Sequence, residues 1–275
     1  MRFCAFADEA SPELSGQINA LKRNGASYIE LRGVNGKNVS DLTIEEALEA
    51  KKMLDDGGIS VFSIGSPIGK IDMKDDFDTH LDKHKHVIEL AEIFGAKRIR
   101  MFSFYGAEGR KNDVIERLNK LISVTPDHIT LCHENEKGIY GETPERCLEI
   151  LEALPRMKAV FDPANFVQCG VDTLKAWEML KNKVEYLHIK DAVGQAVVPA
   201  GEGDGNVKEI VTDYFKLGGE VISMEPHLSN FVGLSGLERE GEESKVGLVS
   251  HFDSKESAFD YACQTFKGIV AKILK

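Results

Sequence analysis

Four short apolar segments of this 275-residue chain each end in a side chain that can bind a metal ion or move a proton. In chain order, these terminal side chains are Glu134, Asp162, His188 and Glu225. Three carboxylates and one imidazole form a hard, oxygen-rich donor set, which suits Mn²⁺ best and also accommodates Mg²⁺, Zn²⁺ or Co²⁺. Strands often end in polar residues simply because they meet solvent. Four in register, including three carboxylates that would repel one another without a cation, favour a single divalent metal site.

These side chains need a scaffold that brings the ends of successive strands together. Eight apolar segments are predicted as strands, at residues 3–7, 28–32, 60–65, 97–103, 129–134, 158–162, 184–188 and 221–225. Predicted helices alternate with them, which implies parallel strands and right-handed crossovers. Eight such units in about 250 residues predict an α/β fold, a single-domain (β/α)₈ TIM barrel over residues 1–275. An open doubly wound sheet is the alternative, but residues 7–11 lack its glycine fingerprint.

Local signals place the helices between the strands. Ser11 and Pro12 are predicted to start the first helix, and Thr43 the second. A long helix is predicted over residues 76–94, and the Gly-, Glu- and Ser-rich residues 229–250 are predicted to be irregular. Three histidines of the long helix are expected at the surface: His80, His84 and His86.

The carboxyl ends of barrel strands form the active-site face, so other residues near these ends are candidates for substrate binding. Lys190 has the same strand parity as His188 and is expected either to reach a substrate oxygen or to be a solvated lysine. Arg32 is expected either to face a substrate anion or to close a surface pair. His227 is expected to line the pocket. The glycine-rich residues 201–205 lack the Lys and Ser/Thr of a P-loop, so they are interpreted as an active-site loop.

Composition excludes several classes of function. The formal net charge of −11 argues against a nucleic-acid partner, because phosphate binding needs a cationic surface. No apolar run is long enough to cross a bilayer, and no membrane partner is expected. The five cysteines are scattered without a CxxC pair and the N-terminus lacks a signal-peptide pattern, so a cytoplasmic location is expected. The outer helix faces are compatible with a homo-oligomer but show no decisive interface pattern.

Five motifs carry a resemblance to a known family. They are HENE at 133–136, FDPAN at 161–165, YLHIKD at 186–191, PAGEG at 199–203 and MEPH at 224–227. With them, nearly the whole chain resembles the xylose isomerase-like TIM-barrel superfamily, the sugar phosphate isomerase/epimerase group. The resemblance implies that Glu134, Asp162, His188 and Glu225 ligate a divalent metal ion. It also implies that the two glutamates act as the acid/base pair, as in ketose 3-epimerases.

The chain departs from the family pattern in two places. Many relatives carry a histidine three residues after the metal-binding aspartate, where this chain has Asn165. The epimerases also carry an arginine shortly after the metal-binding histidine, and residues 193–197 offer none. Asn165 and Lys190 are therefore the residues expected to contact the substrate there. Endonuclease IV-like chemistry needs additional histidine ligands, and too few lie at the strand ends.

The leading hypothesis is a metal-dependent isomerase or epimerase that acts on a small sugar or sugar phosphate. One of Glu134 and Glu225 would remove a proton beside a carbonyl, through a metal-stabilised enediolate. The other glutamate would return a proton to the same carbon, which gives an epimer, whereas return to the neighbouring carbon gives an isomer. Two alternatives stay open, an inosose-type dehydratase and a catalytically silent metal- and sugar-binding barrel, because a fold alone does not choose among them.

Overall fold

Parallel pairing joins eight strands into one ladder. Numbered in chain order, the strands are β1 (Arg2–Ala5), β2 (Tyr28–Leu31), β3 (Ser60–Gly65), β4 (Arg98–Met101), β5 (Thr130–Glu134), β6 (Lys158–Phe161), β7 (Val184–Ile189) and β8 (Val221–Met224). The ladder runs β1–β8–β7–β6–β5–β4–β3–β2, and its two end strands also lie against each other, so the sheet is a nearly closed barrel. The structure, a computed structural model, describes residues 1–231, 245–246 and 252–273.

Helices surround the strands and confirm the predicted α/β TIM-barrel architecture. Within the described residues they are α1 (Leu14–Arg23), α2 (Ile44–Gly57), α3 (Phe77–Phe94), α4 (Lys111–Val124), α5 (Pro144–Ala153), α6 (Pro163–Gln168), α7 (Thr173–Leu180), α8 (Val207–Lys216) and α9 (Lys255–Ile273). The short helix α6 was not predicted, and the predicted irregular segment 229–250 lies mostly outside the described residues. None of the described helices is long and apolar enough to cross a bilayer.

Local capping residues determine the start of one predicted helix but not of another. Thr43 forms a capping box at α2, as its position predicts. The first helix, by contrast, begins at Leu14 rather than at Ser11. The Ser11 hydroxyl accepts from the backbone N–H of Glu13 (3.2 Å), and the first amide of α1 donates to the Asn35 side chain (2.9 Å). A residue from another loop therefore caps this helix, which sequence spacing cannot reveal.

The expected exposure of the α3 histidines was wrong for His80 and His84, which are buried. His80 Nε2 accepts from the backbone N–H of Gly69 (2.9 Å), and His84 Nε2 lies 2.9 Å from the Thr125 hydroxyl. Burial lowers the pKa of each of these imidazoles to about 4. Both histidines lie on the helix face that packs inward, so their hydrogen bonds anchor the loops around α3. His86 is half-buried.

The side chains inside the barrel form two layers, one at the carboxyl ends of the strands and one below it. Strand parity places Cys132 on the same side as Glu134, and Tyr186 on the same side as His188. Cys132 and Tyr186 belong to a buried cluster to which six of the strands contribute. This cluster fills the barrel beneath the carboxyl ends, so the polar side chains at those ends rest on a packed floor.

Candidate metal centre

The four predicted metal ligands converge at the carboxyl end of the barrel. Glu134 ends β5, Asp162 follows β6, His188 lies near the end of β7 and Glu225 follows β8. One ligand atom of each lies within 4.8 Å of the others. Asp162 and His188 are fully buried, and the two glutamates are at most 4% exposed. Consecutive strands thus bring together three carboxylates and an imidazole that are far apart in the sequence.

The donor atoms point at one another as metal ligands do. His188 Nδ1 lies 3.0 Å from Glu134 Oε1 and 3.3 Å from Glu225 Oε2. Asp162 Oδ2 and Glu225 Oε2 are buried, and neither accepts an aligned hydrogen bond within the part of the chain that the structure describes. The Lys190 ammonium lies 3.0 Å from the first of these oxygens and 3.5 Å from the second, so the two oxygens share this positive charge. A divalent cation would satisfy both oxygens, so the residues present fit a metal ion.

An arginine lies behind each of the two glutamates. Arg32 Nη1 donates to Glu225 Oε1 (2.8 Å), and Arg100 Nε lies 3.2 Å from Glu134 Oε2. Both guanidinium groups stack near the ring of Phe6, at 4.3 and 5.4 Å from its centroid. Sequence reasoning missed Arg100, although arginines at alternate positions of β4, Arg98 and Arg100, were a visible signal of a charged strand face.

Lys190 reaches into the metal centre from just beyond β7. Its ammonium nitrogen lies 3.0 Å from Asp162 Oδ2 and 3.5 Å from Glu225 Oε2, and the side chain is buried. Burial alone would lower the pKa of Lys190, but the two carboxylates raise it well above its usual value. The lysine is therefore a fixed positive charge beside two of the four ligands.

Asn165 enters the site because α6 starts directly after β6. Asp162 caps this helix by accepting from the backbone N–H of Asn165 (3.1 Å), and Pro163 occupies the first turn. The Asn165 amide then donates to the backbone oxygen of Asn135 (2.9 Å) and lies 3.4 Å from Glu134 Oε1. The Asp-Pro pair was a local signal for this helix that sequence reasoning did not use.

Charges within the cluster shift the protonation of its members. Burial raises the pKa of Asp162 to about 7, against the effect of the Lys190 ammonium. Burial would also raise the pKa of Glu225, but Lys190 and His188 outweigh it and hold that pKa well below its usual range. For His188, burial is outweighed by carboxylates led by Glu134, which raise its pKa well above the usual value. A metal ion must displace the proton on Nδ1, because only a free ring nitrogen is a ligand.

A second acidic group adjoins the first and already contains a cation. Arg32 donates to both oxygens of Asp8 (2.9 and 3.0 Å), to Glu9 (3.2 Å) and to Glu225. Its donors are thus directed at the chain's own carboxylates. Of the two roles expected for Arg32, the structure shows ion pairing, although the pairs are buried rather than at the surface.

His227 closes this second group from the loop after β8. Its backbone N–H donates to Glu9 Oε2 (2.7 Å), and its Nε2 lies 3.4 Å from Glu9 Oε1 and 3.5 Å from Glu225 Oε1. Neither ring nitrogen makes an aligned hydrogen bond within the described residues. Burial lowers the pKa of His227 to about 4, which favours the neutral ring. The backbone there has a φ of 46°, which is unusual for a non-glycine residue.

The glycine-rich loop at 201–205 binds a side chain of the chain itself. The buried Asp191 carboxylate accepts backbone N–H groups from Gly201 (2.9 Å), Gly203 (3.1 Å) and Gly205 (2.9 Å). A Cβ atom at Gly203 would lie only 2.3 Å from Asp191 Oδ1, which explains the glycine there. Because Asp191 directly follows Lys190, this loop fixes the backbone that carries the lysine.

Solved structures share this architecture along nearly their full length. A D-tagatose 3-epimerase-like protein superposes with a TM-score of 0.75 at 14% identity, covering 100% of this chain and 98% of the other. The IOLI protein with a bound zinc atom gives 0.73 at 17% identity, with 99% of each chain covered. The probable 3-DHS dehydratase AsbF from Bacillus anthracis gives 0.71 at 16% identity, covering 97% of this chain and 99% of the other. At these identities, the likeness establishes the fold.

Sequence comparison gives the family directly. No curated protein matches the sequence. The family profile described as xylose isomerase-like TIM barrel matches residues 18–240, which is most of the chain. The resemblance drawn from the sequence motifs is therefore confirmed. This chain belongs to the xylose isomerase-like TIM barrel family.

Proposed function

We propose that this protein is a divalent-metal-dependent isomerase or epimerase of a small sugar or sugar phosphate. The observation that carries the proposal is the buried cluster of Glu134, Asp162, His188 and Glu225, with ligand atoms within 4.8 Å of one another. Mn²⁺ is the best match to this oxygen-rich donor set, with Mg²⁺, Zn²⁺ and Co²⁺ as alternatives. When bound, the ion supplies Lewis-acid polarisation of a substrate carbonyl and its neighbouring hydroxyl, which makes the adjacent C–H acidic.

The two glutamates are proposed to move the proton. One of Glu134 and Glu225 takes the proton from carbon, and the electron pair of the broken C–H bond moves into the enediolate of the substrate. The other glutamate returns a proton to the opposite face of the same carbon, which inverts it. Return to the neighbouring carbon instead exchanges ketose and aldose. Arg100 and Arg32 hold the two carboxylates in place through their ion pairs.

Three further side chains are proposed to orient the substrate. The Lys190 ammonium and the Asn165 amide lie at the ligand cluster, where each can donate to a substrate oxygen. The neutral ring of His227 has nitrogens without an aligned partner, which suits a substrate hydroxyl. Arg32 is proposed to act on the substrate through Glu225 rather than by direct contact, because its donors already meet three carboxylates.

Solvent deuterium incorporation tests this proposal. Protein loaded with Mn²⁺, then exchanged into Mg²⁺ or Zn²⁺ to avoid paramagnetic broadening, is incubated in D₂O with ketoses, ketose phosphates and inososes. We expect deuterium beside the carbonyl of one substrate, observed by NMR, and its loss in Glu225→Gln. The control is Glu152→Gln, an exposed glutamate near the end of α5, which should leave exchange unchanged. Stoichiometric metal without exchange on any substrate would support the silent binding barrel and contradict the proposal.

A dehydratase on the same site is the second candidate. The observation that favours it is the buried Lys190 ammonium beside Asp162 and Glu225, where it can hydrogen-bond to a departing hydroxyl group. The same proton removal would then be followed by loss of water. The product of such a reaction absorbs in the ultraviolet, so a rising absorbance with an inosose, without formation of an epimer, would replace the leading proposal by this one.

A further inference from the structure

Glu30 lies in the barrel directly beneath the metal centre and was not among the predicted site residues. It belongs to β2 and is fully buried. Its Oε2 lies 3.0 Å from His188 Nε2, and its Oε1 accepts from the Tyr186 hydroxyl (2.6 Å). The Ser63 hydroxyl in turn lies 3.2 Å from that of Tyr186. A hydrogen-bonded chain therefore leads from the barrel floor to the imidazole at its carboxyl end.

The two ring nitrogens of His188 face opposite ways. Nδ1 faces Glu134 and Glu225, whereas Nε2 faces Glu30. A carboxylate only accepts hydrogen bonds, so Nε2 must carry a hydrogen. A neutral ring with its hydrogen on Nε2 has its lone pair on Nδ1, aimed at the cluster of carboxylates.

The ring orientation is fixed from the sides as well. Phe6 packs edge-on against the imidazole at 5.2 Å between centroids, and Tyr186 does so at 5.5 Å. With the ring held between two aromatic side chains, a rotation that would exchange the two nitrogens is blocked. A metal ion on the Nδ1 side would leave the ring hydrogen on Nε2, where the Glu30 carboxylate accepts it.

We propose that Glu30 is a positioning residue for the metal centre, which fixes the tautomer and orientation of His188 so that Nδ1 is the ligand. The inference rests on the metal site of the proposed function. A carboxylate on the distal nitrogen also makes the ligating nitrogen more basic, and loss of such a partner typically weakens metal binding about 10–100-fold. Glu30 touches neither substrate nor metal and acts through His188.

The first test is Zn²⁺ affinity, measured by isothermal titration calorimetry at fixed pH. Glu30→Gln keeps the shape of the side chain but removes its charge and allows an amide N–H to face Nε2. We expect the dissociation constant to rise about 10–100-fold. The matched control is Ser63→Ala, which changes the far end of the same hydrogen-bonded chain and should leave affinity within a few-fold. Equal losses in both variants would indicate general loosening of the barrel floor and would overturn the proposal.

The second test needs no metal. In metal-free protein labelled with ¹⁵N-histidine, the charged ring of His188 carries a hydrogen on both nitrogens, and both N–H signals should be absent in His188→Asn. The Nε2 signal, distinguished by coupling of that nitrogen to both ring C–H protons, should lie downfield and be protected from exchange. Glu30→Gln should shift this signal upfield or lose it to exchange, whereas Ser63→Ala should keep it. An unchanged signal in Glu30→Gln overturns the proposal. If the signal responds but no variant or wild type binds Zn²⁺, the proposed metal site fails while the Glu30–His188 contact stands.

Discussion

Glu134 and Glu225 are the same residue type at equivalent strand ends, yet their cations are arranged differently. Arg100 pairs with Glu134 and otherwise donates to the backbone oxygen of Ser66 (3.3 Å). Arg32 is shared by Asp8, Glu9 and Glu225. The Glu225 side also holds the Lys190 ammonium, at 3.5 Å. Equal positions in the barrel therefore do not give equal surroundings, and the Glu225 side depends on more charges that must balance.

The largest expected effect comes from replacing either glutamate. Glu134→Gln and Glu225→Gln should each lower turnover about 10²–10⁴-fold, because a positioned acid or base contributes that much. If the two carboxylates serve opposite faces of the substrate, each variant should block deuterium exchange with a different epimer. The check is NMR exchange on both epimers, with metal content measured in parallel. Two variants that block the same epimer would contradict the assignment of one face to each glutamate.

Replacing each arginine tests whether the Glu225 side depends on more charges than the Glu134 side, and the quantity measured is the free energy of unfolding. Arg32→Met should lower the free energy of unfolding by about 3–5 kcal/mol, because it leaves buried carboxylates without their cation. Arg100→Met uncovers one carboxylate, to which Asn165 and His188 stay close, so about 1–3 kcal/mol is expected. Urea denaturation of metal-free protein measures both. An equal loss in the two variants would remove the distinction between the two sides.

The free energy of unfolding should itself depend on pH below pH 6.5, because two histidines are buried in the folded protein. The arginine variants are therefore compared above pH 6.5. His80 and His84 have folded-state pKa values of about 4, below the ordinary 6.5. As pH falls below 6.5, the unfolded chain takes up protons that the folded protein does not, so stability is full above pH 6.5 and is lost toward pH 4. About 2–3 kcal/mol per histidine should disappear. Urea midpoints between pH 7 and 4 should show a shallower fall in His84→Gln than in the wild type, and an equal fall in the two proteins would contradict this prediction.

The smallest expected effect concerns Lys190, the cation found beside Glu225 and Asp162. Lys190→Met removes a positive charge that repels a metal ion, so Zn²⁺ affinity should rise about tenfold, which corresponds to about 1.4 kcal/mol. Turnover should fall because a donor to the substrate is lost. Calorimetry and the deuterium assay on the same preparation separate the two effects. Weaker Zn²⁺ binding would show that the lysine supports the ligands rather than competing with the ion.

The sequence predicted those parts of the molecule that depend on local pattern. Alternating strand and helix signals were enough for the barrel. Strand ends were enough to predict that the four proposed ligands lie together, because the fold itself aligns successive strand ends. Thr43 capped its helix as expected, since a capping box spans only four residues.

The missed features depend on contacts between distant segments. Glu30 and Arg100 lie in strands that carry none of the ligands, and only closure of the barrel brings them to His188 and Glu134. His84 was expected at the surface because its partner Thr125 lies 41 residues away. Where a polar side chain finds its partner across the fold, no spacing rule identifies it.

The metal centre is divided along the chain at the end of α4. All four ligands follow Val124, whereas the residues that orient them, Glu30, Arg32 and Arg100, precede it. Neither half of the barrel alone holds both the acidic ligands and these orienting side chains. Only closure of the amino-terminal strands against the carboxy-terminal ones brings Glu30, Arg32 and Arg100 to the proposed ligands, whereas Lys190 already belongs to the carboxy-terminal half. A fragment of the carboxy-terminal half would therefore contain all four proposed ligands but lack these three orienting side chains.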